Sequence, residues 1–173
     1  QPLVRHSYLE PKETFDINFQ GSLNILDSIR RIKSIKSAII ITTDKVYDVY
    51  KKNKIFKESD QLGGLDPYSS SKVCVEHLCF SYIKSFFSNN NKQKIVTVRA
   101  GNVIGGGDYS KDRLIPDIYR YSNKMKKIII RNPLAVRPWQ HVLEPLSGYL
   151  LLTENLHKKT LSSIKPNWNF GPN

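Results

Sequence analysis

Two short apolar runs, each ending in polar or glycine residues, constrain this chain more than any other feature. Ala38 to Ile41 leads into Thr42-Thr43-Asp44-Lys45, and Lys94 to Ala100 leads into the glycine-rich residues 101–107. Runs of this length are those of buried strands. Longer stretches with helical spacing lie before and between them, so strand and helix alternate. That rhythm predicts an α/β fold with a parallel sheet. Ligands of open α/β sheets bind beyond the carboxyl ends of the strands. The polar residues after Ile41 and after Ala100 therefore stand where chemistry is expected.

A first helix is predicted from Pro11, a residue favoured at the first helical position, with Glu10, Glu13 and Asp16 at its positive end. Leu23, Leu26, Ile29 and Ile32 follow at helical spacing. A polar loop is expected to about Pro67, and a second long helix from near Ser69 with Cys74, Leu78, Tyr82 and Phe86 as its apolar stripe. Lys94 to Ala100 reads as strand and residues 101–107 as loop. A helix over 116–127, a strand over 128–130, an irregular segment over 131–140, a helix over 144–156 and a short strand over 168–170 complete the reading.

The chain has 173 residues and a net charge of +12. That length suits one domain with a real core. Much of the charge is lysine scattered among Asn, Ser and Ile at helix ends and in loops, with no basic block interleaved with stacking aromatics. A nucleic-acid module is not expected, and a small phosphorylated ligand fits the charge equally well. No apolar run reaches the length of a membrane span, and the N-terminus has no signal-peptide pattern. The absence of an initiator Met reads as a chain that is incomplete or processed. Cys74 and Cys79 lie five apart in a predicted helix, which is neither a disulfide framework nor a metal motif. His6, His77, His141 and His157 are dispersed, so no metal is expected.

Four features carry candidate chemistry. Tyr-x-x-x-Lys places a phenol and an ammonium on one helix face, where the cation lowers the phenol's pKa and makes a usable base. The pattern occurs as Tyr8/Lys12, Tyr47/Lys51, Tyr50/Lys54 and Tyr68/Lys72, but only the last opens a long helix. Its competing reading is a surface tyrosine at a helix start. Thr43-Asp44-Lys45 offers a hydroxyl, a carboxyl and an amine at a strand exit, against the alternative of an ordinary Asp/Lys pair. Residues 101–107 match neither a dinucleotide fingerprint nor a P-loop, and Asn102 is their one obvious hydrogen-bonding side chain. Arg99, Arg113, Arg131 and Arg137 are candidates for bidentate phosphate binding, with a surface salt bridge as the alternative for each.

Taken in order, Gln1-Pro2-Leu3-Val4-Arg5, Thr43-Asp44-Lys45, Asp66-Pro67-Tyr68-Ser69-Ser70-Ser71-Lys72, residues 99–108, Arg113-Leu114-Ile115-Pro116-Asp117, Arg131-Asn132-Pro133 and residues 135–149 resemble the extended short-chain dehydrogenase/reductase superfamily. Within it the chain is similar to the sugar-nucleotide 4,6-dehydratases. The resemblance implies an NAD-binding Rossmann-type doubly wound parallel sheet, lacking its first strands, with a small α/β substrate-binding region. Residues 1–107 would be the C-terminal part of the catalytic domain, and 108–173 mainly the nucleotide-sugar-binding region.

By the same resemblance, Tyr68 is the base for the sugar's 4-hydroxyl, while Lys72 tunes Tyr68 and holds the nicotinamide ribose. Thr43 bonds the 4-oxygen, Asp44 is the acid that protonates the departing 6-hydroxyl, and Lys45 is the base at C5. Lysine rather than glutamate at position 45 favours CDP-glucose over dTDP-glucose. A lysine base must be neutral, which burial and the like charge of Lys72 would promote. Asn102, Arg113 and Arg137 are implied to touch the nucleotide sugar. NAD is the implied cofactor, its glycine motif expected ahead of Gln1, and the isolated 173 residues are expected to bind it poorly. A homo-oligomer in the cytoplasm, without membrane or nucleic-acid partner, is also implied. The rivals are an epimerase or another dehydratase of the same fold, and a non-catalytic basic binding piece.

Overall fold

A computed structural model describes residues 1–48, 55–87, 93–122, 127–158 and 165–172. Its centre is a parallel sheet of three strands: β1 (Ser37–Ile41), β2 (Lys94–Ala100) and β5 (Asn167–Phe170), in the order β1-β2-β5. Ile39 faces Val96 across the first pair, and Val98 faces Trp168 across the second. A second parallel pair joins β3 (Asn102–Ile104) to β4 (Trp139–His141).

Strand periodicity divides β2 between two layers. Ile95 packs with Leu26, Ile29, Val75, Cys79 and Phe87 on one face. Val96 and Val98 pack with Leu152 and Leu156 on the other. The first layer is built by α3 (Gly21–Arg31) and α4 (Pro67–Tyr82), and the second by α6 (Leu143–Lys158). Thr97 and Arg99 share the Ile95 face by the same alternation, so the α4 side of the sheet turns polar toward the carboxyl end of β2. Helices on both faces of a parallel sheet make the α/β, Rossmann-type architecture expected from the sequence.

Several local expectations change. Val4–Leu9 forms a helix, α1, that spacing did not announce. The helix from Pro11 runs as α2 (Pro11–Phe15), a wider π turn over Asp16–Gln20, and α3. Only Leu26 and Ile29 of its apolar set are buried, and Ile32 is exposed. On α4 the buried residues are Tyr68, Ser69, Ser71, Val75, Glu76 and Cys79, displaced from the predicted stripe, whose Phe86 is exposed.

The loop before Pro67 buries Val46 and Tyr47, and Tyr47 pairs with Leu62 as an isolated bridge. Residues 102–104 form β3 inside the predicted glycine loop because β4 supplies a partner. Residues 128–130 are not a strand: Ile129 is 83% exposed and no strand lies beside it among the described residues. The helix α5 spans Leu114–Ser122; of the rest of the predicted 116–127 range, residues 123–126 lie outside the described residues and Lys127 is not helical. Among the described residues no helix is long and apolar enough to cross a membrane.

Candidate active site

The start of α4 is fixed before any function is considered. Asp66 caps it by accepting from the Ser69 N–H at 3.0 Å, while the Asp66 N–H donates to Ser69 Oγ at 3.1 Å. Pro67 adds its pre-set φ at the first position. Tyr68 follows at once. Its N–H donates to the buried Ser7 Oγ at 3.1 Å, and its carbonyl accepts from Ser71 Oγ at 2.7 Å. Asn18 Nδ2 donates to Ser71 Oγ at 2.9 Å. This turn is held by α1 and by the π turn, so the phenol has little freedom to swing away.

The phenol meets the exit of β1. Thr43 leaves the strand with extended backbone, and its hydroxyl donates to Asp44 Oδ1 at 3.2 Å. The same hydroxyl accepts the Lys45 N–H at 3.3 Å and lies close enough to the Tyr68 phenol to act on it. One turn along α4, Lys72 Nζ donates to the Ile41 carbonyl at 3.2 Å. Lys45 Nζ lies 3.9 Å from Asp44 Oδ1. Thr43, Asp44, Lys45, Tyr68 and Lys72 thus converge from two elements, as their order in the sequence implied.

The electrostatics differ from the simplest expectation. Burial raises the Tyr68 phenol above its usual value of 10, and the Asp44 carboxylate adds to the rise. The Thr43 hydroxyl and the Arg113 charge oppose it without prevailing. Lys72 is not among the groups that act most strongly on this phenol. Burial also lowers the Lys72 ammonium, with Cys79 and Glu76 acting in the opposite direction. The Lys45 side chain is 38% exposed, and its near neighbour is the Asp44 carboxylate rather than a like charge.

A cleft of about 970 Å³ opens beyond the strand ends. Thr43, Lys45, Tyr68, Asn102, Arg113 and Arg137 all line it, and Asp44 and Lys72 are not among the lining residues. The Asn102 Oδ1 atom is buried and has no hydrogen-bond partner among the described residues. An orphaned acceptor of this kind costs free energy unless a ligand donates to it. Gly101 lets Pro138 and Asp44 approach: a Cβ there would lie 2.5 Å from Pro138 Cγ and 3.3 Å from Asp44 Oδ2. Cations (Arg5, Lys45, Lys111, Arg113, Arg131, Arg137) outnumber carboxylates (Asp108, Asp112, Asp117) along the lining. Such a wall suits a diphosphate.

The four candidate arginines separate. Arg137 bonds only the Val136 carbonyl, at 3.3 Å, and has no ion pair among the described residues. Arg113 is paired with Asp108 at 2.8 Å, and Arg131 with Asp112 at 2.9 Å. Arg99 is not available to any ligand: it is 3% exposed and clamps Glu76 with two contacts of 2.9 Å. Arg5 was not singled out in advance. It reaches Asp112 at 2.6 Å from the far side of the cleft, and its place within the Gln1–Arg5 block was the only signal. Glu76 was also missed, although an acid four residues after Lys72 on one helix face was a legible sign. Among the described residues no group of three or more His, Cys, Asp or Glu side chains could hold a metal ion.

A parallel α/β sheet, a Tyr/Lys pair opening a helix and a hydroxyl at the strand exit place the chain in the Rossmann-type α/β class. The chain belongs to the NAD dependent epimerase/dehydratase family, whose model matches residues 1–164. It is similar to a CDP-glucose 4,6-dehydratase of Salmonella typhimurium, at 46% identity over 99% of this chain and 49% of the relative. A solved dTDP-glucose 4,6-dehydratase from Bacillus anthracis in complex with NAD is 27% identical, with a TM-score of 0.75 over 91% of this chain and 47% of that one. Another, from Streptomyces venezuelae with NAD bound, is 18% identical and supports the fold, with a TM-score of 0.83 over 99% of this chain and 49% of that one. The chain spans about half the length of these relatives.

Proposed function

We propose that the whole protein carrying this chain is a sugar-nucleotide 4,6-dehydratase that converts CDP-glucose to CDP-4-keto-6-deoxyglucose. The observation that carries this reading is the convergence of Thr43 and Tyr68 on one cleft, with Asp44, Lys45 and Lys72 around them. The substrate class rests on the relative at 46% identity and on Lys45. The two free N–H donors of Lys72 Nζ, which has only the Ile41 carbonyl as acceptor among the described residues, fit a ribose diol beside Tyr68. Tyr68 and Lys72 would hold the nicotinamide ribose of NAD. When bound, NAD supplies oxidation at C4 of the sugar and returns the same electrons at C6.

The chain's own residues do the rest. Tyr68 takes the proton of the 4-hydroxyl, and Thr43 orients that oxygen. The C4 ketone acidifies the C5 hydrogen, which Lys45 removes once the sugar covers its amine from water. Asp44 protonates the departing 6-hydroxyl, and water leaves. Asn102 Oδ1 accepts from the ligand, while Arg113 and Arg137 hold the diphosphate. Residues 1–107 act as the C-terminal part of the catalytic domain. Residues 108–173 act mainly as the nucleotide-sugar-binding region, with β5 returning to the central sheet. We place the protein in the cytoplasm as a homo-oligomer, a setting that suits the free thiols of Cys74 and Cys79.

The test is turnover of CDP-glucose, dTDP-glucose and GDP-mannose side by side by the whole protein with NAD. Loss of water from CDP-glucose, at a rate well above the other two, is the expected result. Turnover of another nucleotide sugar alone, or epimerisation without loss of water, would replace this reading.

A further inference from the structure

The end of β1 meets α4 at three consecutive residues. The Ile41 carbonyl accepts from Lys72 Nζ. The Thr42 hydroxyl donates to Glu76 Oε1. The Thr43 hydroxyl stands beside the Tyr68 phenol and lines the same cleft. Tyr68, Lys72 and Glu76 follow one another at four-residue steps along one face of α4. The first two are the site already described. The third is buried at 6% exposure and holds no place in the chemistry.

Glu76 is anchored from the other side as well. Its Oε2 accepts from Thr97 Oγ1 at 2.8 Å, and Arg99 clamps both oxygens at 2.9 Å. Thr97 and Arg99 belong to β2, the strand beside β1. Glu76 is thus a fixed point shared by α4 and two strands. Thr42 is the bond that transmits this point to Thr43, the next residue in the chain. A packed carboxylate with four donors cannot shift without stranding one of them.

We infer that Thr42 and Glu76 are positioning residues that set the distance between the Thr43 hydroxyl and the Tyr68 phenol. This rests on the dehydratase reading above for its kinetic consequence, and on the geometry alone for its structural one. Thr97 supplies an internal comparison. It donates one hydroxyl to the same carboxylate as Thr42 does, but it has no link to Thr43. A role confined to stability predicts that loss of either hydroxyl does the same thing.

The experiment compares Thr42→Val, Thr42→Ser and Thr97→Val in the whole protein with NAD and CDP-glucose. Misplacement of a reacting group by a fraction of an ångström costs about tenfold or more in rate. Thr42→Val should therefore lower kcat by about tenfold or more, with KM changed by less than about twofold. Thr42→Ser, which keeps the hydroxyl, should restore kcat. Thr97→Val should lower the melting temperature as Thr42→Val does while leaving kcat near the parent value. Equal kcat for Thr42→Val and Thr97→Val would overturn the inference.

A second readout needs no substrate. The phenolate absorbance of Tyr68, taken as the difference from Tyr68→Phe, should move to higher pH in Thr42→Val, because the Thr43 hydroxyl, which favours phenolate, moves away from it. It should stay in place in Thr97→Val. Asp44, Asp66 and Arg113, the other charges acting on that phenol, are untouched by either change. A parent protein inactive on CDP-glucose would end the dehydratase reading, and this titration would still decide the positioning role. If Thr42→Val does not fold, Thr42→Ala carries the same expectations.

Discussion

Glu76 and Arg99 meet in the interior as a two-pronged ion pair, both contacts 2.9 Å, with each side chain at most 5% exposed. The pair joins α4 to β2 directly beneath the strand exit that carries Thr43. Its burial makes it a liability unless both partners stay. Removing one partner of such a pair costs about 3–5 kcal/mol, because the other is left charged and desolvated. Arg99→Met alone should therefore unfold the protein or lower its melting point sharply. Arg99→Met with Glu76→Leu should recover much of the loss, since apolar replacement of a whole buried pair is close to neutral. Thermal melts of the two variants decide this.

The same pair gives the fold an acid limit. Arg99, Thr42 and Thr97 together hold the Glu76 carboxyl below its usual value near 4.5, outweighing burial. A folded-state value below the unfolded one means that the unfolded chain takes up the proton first. The stabilisation is then complete above about 4.5 and is lost as pH falls through the depressed value. Denaturant midpoints measured from neutral pH downward should fall through this window, and the doubly apolar variant should show a smaller fall.

Tyr68 provides a prediction about ligand removal. In protein stripped of NAD and substrate the phenol should ionise above 10, since burial and Asp44 outweigh Thr43 and Arg113. The ultraviolet phenolate band, taken against Tyr68→Phe, measures it. Ionisation near neutrality in the stripped protein would mean that Lys72 governs the phenol after all.

Arg137 should report on binding alone. It is free of ion pairs among the described residues and lines the cleft. A charged hydrogen bond contributes about 1.5–3 kcal/mol, so Arg137→Ala should raise KM for the nucleotide sugar by roughly 10-fold to 100-fold. Its melting point should be unchanged. Steady-state kinetics with a parallel melt separate this from Arg113→Ala, which also breaks the bond to Asp108.

Much of this site was legible before the fold was known. Tyr68 could be chosen from four Tyr-x-x-x-Lys pairs because only it opens a long helix, and Asp66-Pro67 marks that start chemically. The two main strands were visible as apolar runs. What stayed hidden was pairing between distant segments. β3 looked like loop because its partner, β4, lies far along the chain. Ile128 to Ile130 looked like a strand because three isoleucines carry β propensity, yet all three are exposed and no strand pairs with them among the described residues. Arg99 resembled Arg113 and Arg137 in sequence, and only the alternation of β2 against Glu76 turns it inward. Lys45 was expected to be buried, but exposure depends on how the strand exit turns, which no local pattern encodes.

The central claim is that the Tyr68 phenol, beside Thr43 at the mouth of β1, is the base for the sugar hydroxyl. The most direct measurement is CDP-glucose turnover by Tyr68→Phe in the whole protein with NAD. Loss of a positioned acid–base group lowers the rate by about 10²–10⁴-fold, and that loss is expected here with the melting point retained. Turnover at the parent rate by a folded Tyr68→Phe protein would contradict the account.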